Sequence, residues 1–210
     1  MEIAMTIPAK TKVGSGKTAA KAARYEGLVP AVIYGGDAEP EMVSIDPRPI
    51  WKGLAERGFF AKVMALEIDG KTHNVLPRDI QFDRVTDQPI HVDFMRVSAD
   101  TTVKVKVPVD FINELESPGL KRGAVLNVVR HSVEVRCKAG EIPTKFDADL
   151  TGLNINDAVK YSMVQVSGNV TPTIVGRDFV IATVTAPSAL KRQMMDAAAA
   201  GETDDAGASA

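Results

Sequence analysis

The chain has 210 residues, of which 45% are apolar and 25% are charged, so it is long enough to form two domains with hydrophobic cores. Its 25 basic and 27 acidic residues give a net charge of −2, which excludes a histone-like polycation, and its single cysteine, Cys137, excludes an intrachain disulfide framework or a cysteine zinc site. The sequence has no secretory leader pattern and no apolar run near the roughly 18 residues of a membrane span, so we expect a soluble, cytoplasmic protein.

Residues 1–98 are predicted to form a β-rich domain that contains two helices. Segments rich in apolar and β-branched residues predict strands at 2–8, 29–34, 59–68, 72–82 and 89–97. The pairs Gly35-Gly36 and Asp69-Gly70 predict hairpin turns. Capping and ending signals predict one helix over about 18–26 and a second over about 49–57.

Residues 99–188 are predicted to form a second domain built only of strands. In the segment TVKVKVPVDF, which begins at Thr102, every second residue is apolar, and Pro108 favours an edge position for this strand. Further alternating segments (SVEVRC, FDADL, MVQV and DFVIATV) are separated by turn clusters, a pattern typical of a β-sandwich. Residues 189–210 are rich in Ala, Gly and Asp and are predicted to be a disordered acidic tail.

The first predicted helix has a stripe of positive charge. Lys17, Lys21 and Arg24 stand at i, i+4 and i+7, so they share one face of the helix, and alanines occupy much of the rest. A thin helix with one cationic face can lie close to a phosphate backbone, and Lys10 and Lys12 from the preceding segment strengthen this interpretation. The alternative is a solvated surface helix.

The segment IHVDFMRV places a histidine and a carboxylate side by side. Ile90, Val92 and Phe94 alternate into the core, which puts His91 and Asp93 together on the outer face of a strand. Such a pair can act as a general base, but the sequence offers no nucleophile, third catalytic group or metal-ligand set beside it, so an enzyme is not expected. In an RNA-binding protein the pair has another use, because histidine stacks or donates and aspartate accepts from base amino groups.

Three more polar residues are candidates for the same surface. Tyr34 ends the segment PAVIY and precedes two glycines that would let a ligand backbone approach closely; a tyrosine that only covers the rim of a barrel is the alternative. Arg78 and Gln81 in LPRDIQFD add a cation and an amide on a neighbouring strand.

Three motifs, in this order, resemble those of a known family: R-x-E-G-x-V-P-A-V-I-Y-G-G from Arg24, R-D-I-Q from Arg78 and I-H-V-D-F-x-R-V from Ile90. They are similar to motifs of the bacterial large-subunit ribosomal proteins of the L-twenty-five type, also called the Ctc or general-stress family. The segment from Val107 to Leu153 resembles the additional C-terminal β-domain of the long form of that family. The resemblance covers about residues 3–187.

The resemblance implies an N-terminal β-barrel that binds 5S ribosomal RNA, followed by a β-sandwich-like domain. It implies that a tyrosine, a histidine and an aspartate grip an irregular helical loop of the RNA while basic residues contact the backbone. The implied RNA-binding residues in this chain are Lys10, Lys12, Lys17, Lys21, Arg24, Tyr34, Arg78, Gln81, His91 and Asp93. Where the family carries an arginine near the N-terminus this chain has lysines, and either Lys10 or Lys12 takes that place.

We therefore expect a structural component of the large ribosomal subunit, with 5S rRNA as its partner, neighbouring ribosomal proteins as further contacts, and no cofactor, metal site, small-molecule substrate or membrane. The alternative is a stress-related adaptor that binds other proteins through the C-terminal β-domain. A small hydrolase built on His91 and Asp93 is the weaker alternative, because no third catalytic group is identifiable.

Overall fold

The computed structural model describes residues 3–11, 16–36, 38–166, 168, 170–188 and 192. The chain divides into two compact units. The first holds the residues up to Pro108 together with Val133–Lys145 and the segment that ends at Ile174. The second holds Val109–Ser132, Phe146–Val166 and the segment that starts at Val175. The predicted acidic tail, 189–210, lies outside the described residues apart from residue 192.

The N-terminal part of the chain forms a closed barrel of six strands with two helices, which confirms the predicted mainly-β barrel. The strand order around the barrel is β1-β3-β2-β6-β5-β4, with β1 parallel to β4 and β2 parallel to β6. The elements are β1 (Met5–Thr11), α1 (Lys17–Tyr25), β2 (Val29–Tyr34), β3 (Glu41–Ile45), α2 (Pro47–Ala55), β4 (Met64–Ile68), β5 (Lys71–Phe82) and β6 (Pro89–Arg96).

The barrel interior is filled by branched and aromatic side chains that alternate along the strands. Fully buried residues on all six strands and on α2 form one cluster, which includes Ile7, Ile33, Ile45, Ile50, Leu66, Val75, Val92 and Phe94. Because alternate residues on a strand point to opposite faces, the burial of Val92 and Phe94 turns His91 and Asp93 to the outer face of β6. The alternation of buried residues along β6 therefore determines that the side chains of the candidate site point away from the core.

Three local predictions for the barrel need correction. The strand β3 was not predicted, because only three of its five residues are apolar and its first residues are exposed. The predicted strand over 59–68 begins with a short 3-10 turn, Phe59–Ala61, before β4. The helix α2 starts at Pro47, two residues before the prediction, because the Asp46 carboxylate accepts a hydrogen bond from the Arg48 amide and proline is favourable at a first helical position.

The two predicted turns differ in form. Asp69 and Gly70 connect β4 to β5 as a two-residue hairpin in which both have positive φ, as a type I′ turn requires, so this prediction is confirmed. Gly35 and Gly36 also have positive φ, but they begin a longer connection to β3.

The chain after residue 98 forms two sheets and one short helix. A five-stranded sheet has the order β12-β10-β7-β9-β13, and a three-stranded sheet has the order β11-β14-β8. The edge position predicted for the strand that contains Pro108 is wrong, because this strand, β7, lies between β10 and β9. Pro108 is tolerated there because it lies one residue before β10 begins to pair with β7, so this position needs no amide donor on that side. The elements are β7 (Thr102–Ile112), α3 (Pro118–Lys121), β8 (Val125–Val128), β9 (Ser132–Lys138), β10 (Phe146–Asp149), β11 (Ala158–Lys160), β12 (Val164–Gln165), β13 (Thr171–Pro172) and β14 (Val180–Thr185).

None of the helices in the described part of the chain has the length and the apolar character needed to cross a membrane.

Candidate nucleic-acid interface

A histidine and an aspartate are paired on the outer face of β6. The Nδ1 atom of His91 lies 2.8 Å from Oδ1 of Asp93, and both side chains are partly exposed. In this geometry Nδ1–H donates to the carboxylate, which fixes the ring and leaves Nε2 for a second partner. The pair therefore presents a preoriented imidazole and a carboxylate to whatever contacts this face.

The neighbouring strand β5 adds polar groups beside this pair. In the β5–β6 register Gln81 lies opposite His91 and Asp79 lies opposite Asp93. Gln81 and Asp79 are both exposed. The face therefore holds an amide, an imidazole and two carboxylates within two adjacent strands, which is a set of donors and acceptors suited to base edges rather than to phosphates.

Arg78 lies at an irregularity in the register of β5 with β6, between Pro77 and Asp79. Its guanidinium donates from Nη1 to the backbone oxygen of Lys104 at 2.7 Å. This bond gives Arg78 a structural partner on β7 that the sequence did not predict.

Tyr34 ends β2 and lies across from Met95 on β6, two residues beyond Asp93. The connection that follows Tyr34 is held by Arg96, which donates from Nη1 to the backbone oxygens of Ala38 and Glu39 at 3.2 and 2.9 Å. A side chain at Gly35 would approach Met95 to 3.2 Å with φ at +94°, so glycine is needed there. The arginine of the IHVDFMRV motif therefore orders the loop beside Tyr34.

The helix α1 brings cations to the start of β6. Arg24 donates from Nε to the backbone oxygen of Ile90 at 3.3 Å, which places the end of the cationic stripe next to His91. Lys17 and Lys21 are exposed, and the Lys21 ammonium lies 5.6 Å from the ring centroid of Tyr25. The structure describes every residue of α1, and none in its first turn is acidic. The partial positive charge of the helix N-terminus therefore adds to the charge of Lys17.

Lys10 does not share this face. It lies on β1, and β1 is three positions from β6 in the six-strand order, so it is on the opposite side of the barrel. Lys10 lines an open cavity together with Asp46, Glu67 and Asp69. Lys12 lies outside the described residues. The sequence grouped these two lysines with the α1 stripe because they precede it in the chain, whereas closure of the barrel separates Lys10 from β6.

The arrangement separates two kinds of chemistry. The cations of α1 can bind phosphates, lysine through its ammonium charge and arginine through paired N–H donors of its guanidinium. The outer face of β5 and β6 can instead accept and donate hydrogen bonds to base edges. Within the described residues, no group of three His, Cys, Asp or Glu side chains is placed to hold a metal ion.

Comparison with known proteins identifies the family. The sequence model of the Ribosomal L25p family matches residues 7–94, and that of the C-terminal domain of ribosomal protein TL5 matches residues 102–188. A protein of Rhodospirillum rubrum named large ribosomal subunit protein bL25 is 48% identical over 204 residues, which cover 97% of this chain and 96% of that protein. The chain belongs to the ribosomal L25p family.

Other relatives with the same name give the same result for this L25p-family chain. The protein of Mesorhizobium japonicum is 46% identical over 88% of this chain and 87% of its own length. The protein of Novosphingobium aromaticivorans is 43% identical over 93% of this chain and 96% of its own length. The resemblance predicted from three short motifs is confirmed, and membership of a ribosomal protein family agrees with the prediction that the chain is not an enzyme.

Two exposed aromatic residues near the predicted site were missed. Tyr25 follows Lys21 by one helical turn on α1 and is 79% exposed. Trp51 on α2 is 43% exposed and packs against Phe82 with ring centroids 6.5 Å apart. The available signal was the single tryptophan of the chain, which lies in the second predicted helix between the basic residues Arg48 and Lys52.

Proposed function

We propose that this protein is a structural component of the large ribosomal subunit in the cytoplasm and binds 5S rRNA through its N-terminal barrel. The relatives at 43–48% identity are named large ribosomal subunit proteins, which supports the assignment to that particle. The specific RNA partner comes from the role that the family resemblance implies.

The observation that carries the proposal is the bond between Arg24 and Ile90, which joins the cationic stripe to the hydrogen-bonding face of His91 and Asp93. A protein that reads an irregular RNA helix needs both kinds of group on one surface, because phosphate contacts supply affinity and base-edge contacts supply specificity. Here Lys17, Lys21 and Arg24 would contact phosphates. Tyr34, Gln81, His91 and Asp93 would contact bases and sugars.

The same proposal gives different roles to different segments of the chain. We assign RNA binding to residues 1–98, contacts with neighbouring ribosomal proteins or other RNA to residues 99–188, and neither role to the tail 189–210. The separate matches of two family models, to residues 7–94 and 102–188, support this division.

The test is binding of the full-length protein to 5S rRNA across a salt series, with an unrelated folded RNA as competitor. With about four to six phosphate contacts, the logarithm of affinity should fall with the logarithm of salt concentration at a slope of about −3 to −5. Specific binding that survives the competitor supports the proposal. Equal and weak binding to both RNAs would contradict it and would favour the adaptor function for the C-terminal domain.

The full chain is the right material for this test. The first compact unit includes residues up to Pro108 and Val133–Lys145, and the Arg78 guanidinium binds the backbone of Lys104. A truncation after residue 100 would therefore remove parts of the unit that contains the barrel, and a loss of binding could then reflect unfolding.

A further inference from the structure

A cavity of about 340 Å³ opens beside the proposed RNA-binding surface. Its walls come from the end of α1, the start of β2, the helix α2 and the turn between β5 and β6. The side chains used below are Arg24, Trp51, Asp83 and Gln88. Its volume is at the lower end of the roughly 300–1,000 Å³ that is typical of small-ligand sites.

One wall of the cavity is an aromatic surface. Trp51 lines it and remains 43% exposed, and Phe82, which is 41% exposed, packs against the indole at a tilt of 53°. Two exposed aromatic rings in contact leave apolar area uncovered that a flat partner could bury. Unpaired nucleobases bind in this way in proteins that recognise single-stranded or looped RNA.

Another part of the cavity wall is the turn between β5 and β6, which its own hydrogen bonds hold in place. The Asp83 carboxylate accepts from the backbone amides of Val85 and Thr86 at 2.8 and 3.0 Å. The Asp83 amide donates to the backbone oxygen of Gln88 at 2.8 Å. The cavity is therefore formed before any ligand arrives, and no loop has to be ordered on binding.

The charges around the cavity favour a nucleotide of RNA as the occupant. Arg48 and Lys52 flank Trp51 on α2, Arg84 follows Phe82, and all three are exposed. Arg24 belongs both to the cavity and to the cationic stripe of α1, so the cavity continues the proposed interface. The carboxylate of Asp83 disfavours a phosphate inside but can accept from the amino group of a base.

We propose that this cavity takes up one unpaired nucleobase of the RNA that the barrel binds, stacked on Trp51 and with an exocyclic amino group toward Asp83 and Gln88. This inference rests on the proposed function, since the same RNA must bind the adjoining surface. It adds a second recognition point to the face of His91 and Asp93. The flanking cations Arg48, Lys52 and Arg84 would contact the backbone on either side of the extruded nucleotide.

Trp51 can serve as an intrinsic fluorescence probe of the cavity, because it is the single tryptophan of the sequence. The full-length protein is titrated with 5S rRNA while binding is measured on filters and tryptophan emission is recorded in parallel. We expect emission to be quenched with the same midpoint as filter binding. Trp51→Ala should weaken binding about tenfold, within the range that base–aromatic stacking supplies, and Trp51→Phe should recover most of the loss.

The matched control is Phe60→Ala, which removes an aromatic residue of 36% exposure outside this cavity and should bind RNA like wild type. Thermal unfolding of each variant shows that the barrel is intact. A scan of abasic substitutions through the unpaired nucleotides of the RNA then locates the base. One abasic position should weaken wild-type binding about tenfold and have no further effect on Trp51→Ala, as expected for two groups that contact each other.

The outcomes separate the two proposals. If the wild-type protein does not bind 5S rRNA on filters, the proposed function is wrong and the cavity inference falls with it. If it binds but emission is unchanged and Trp51→Ala binds normally, the cavity inference alone is wrong. Quenching that requires an added ribosomal protein, and not RNA, would also overturn it, because the occupant would then be a peptide segment.

Discussion

Asp93 orients His91 from two residues along the same strand, with Oδ1 of the carboxylate 2.8 Å from Nδ1 of the ring. Residues at this spacing share a face, and the buried neighbours Val92 and Phe94 fix which face it is. In the proposed RNA recognition the carboxylate would have two roles, as an acceptor for base amino groups and as the group that positions the imidazole. A prediction follows for each role.

Removing the imidazole should cost more affinity than making its partner neutral. We expect His91→Ala to weaken 5S rRNA binding by about 1–3 kcal/mol, the range for a residue that contacts bases. Asp93→Asn should cost less, because the amide oxygen still accepts from Nδ1–H, and Asp93→Ala should approach the effect of His91→Ala. Filter binding at one salt concentration measures all three.

The matched control for this series is His131→Ala, which removes an exposed histidine from the second compact unit. It should bind like wild type. Equal losses for His91→Ala and His131→Ala would show that the effect comes from net charge or stability, and the recognition role of His91 would be wrong.

Two lysines of the predicted site should differ in their effect on salt dependence. Lys21 is exposed on α1, beside the hydrogen-bonding face, whereas Lys10 is on the opposite side of the barrel near Asp46, Glu67 and Asp69. We expect Lys21→Ala to reduce the magnitude of the salt slope by about 1 and Lys10→Ala to leave it unchanged. The slope is obtained from binding isotherms at several salt concentrations. A change for Lys10→Ala equal to that for Lys21→Ala would contradict the barrel geometry as the basis of the site.

The sequence was sufficient for the parts of the site that depend on local periodicity. Alternation around Val92 and Phe94 gives the outward direction of His91 and Asp93, and helical spacing gives the α1 stripe. The hairpin at Asp69 and Gly70 also follows from local turn chemistry.

The sequence was insufficient where closure of the barrel decides neighbours. The separation of Lys10 from β6 and the bond of Arg78 to Lys104 depend on pairings between residues far apart in the chain. The strand β3 has only three buried residues in five, so tertiary pairing with β1 and β2 made it a strand where the local pattern was weak.

Gly53 should be required for the position of α2. In an exposed helix, Gly→Ala usually stabilises a protein by about 0.5–1 kcal/mol. Here a Cβ at Gly53 would lie 2.5 Å from the ring of Phe59, which is buried in the barrel core. We therefore expect Gly53→Ala to lower the free energy of unfolding by about 1–3 kcal/mol, the cost of overpacking a core. Urea unfolding measures it, and a stabilised variant would contradict the tight contact of α2 with Phe59.

Acid should weaken the second compact unit partly through Asp149. The Thr151 side chain and amide and the Asn113 amide donate to this carboxylate and hold the pKa of Asp149 below its usual value. A lowered folded-state pKa means that the unfolded chain binds the proton more readily, so the stabilisation is present above pH about 4 and is lost as the pH falls through the folded pKa. Asp149→Asn removes this titration and replaces charged hydrogen bonds by weaker neutral ones.

The midpoint of thermal unfolding, measured from pH 7 to pH 2, should therefore be lower for Asp149→Asn than for wild type at neutral pH, and the difference should shrink as the pH falls below about 4. Asp100→Asn is the control, because the Asp100 side chain is 93% exposed and its ion pair with Lys138 is 3.6 Å long. That variant should follow the wild-type curve across the whole range. A gap between Asp149→Asn and wild type that stays constant down to pH 2 would mean that the hydrogen bonds to Asp149 stabilise its protonated form as well as its charged form.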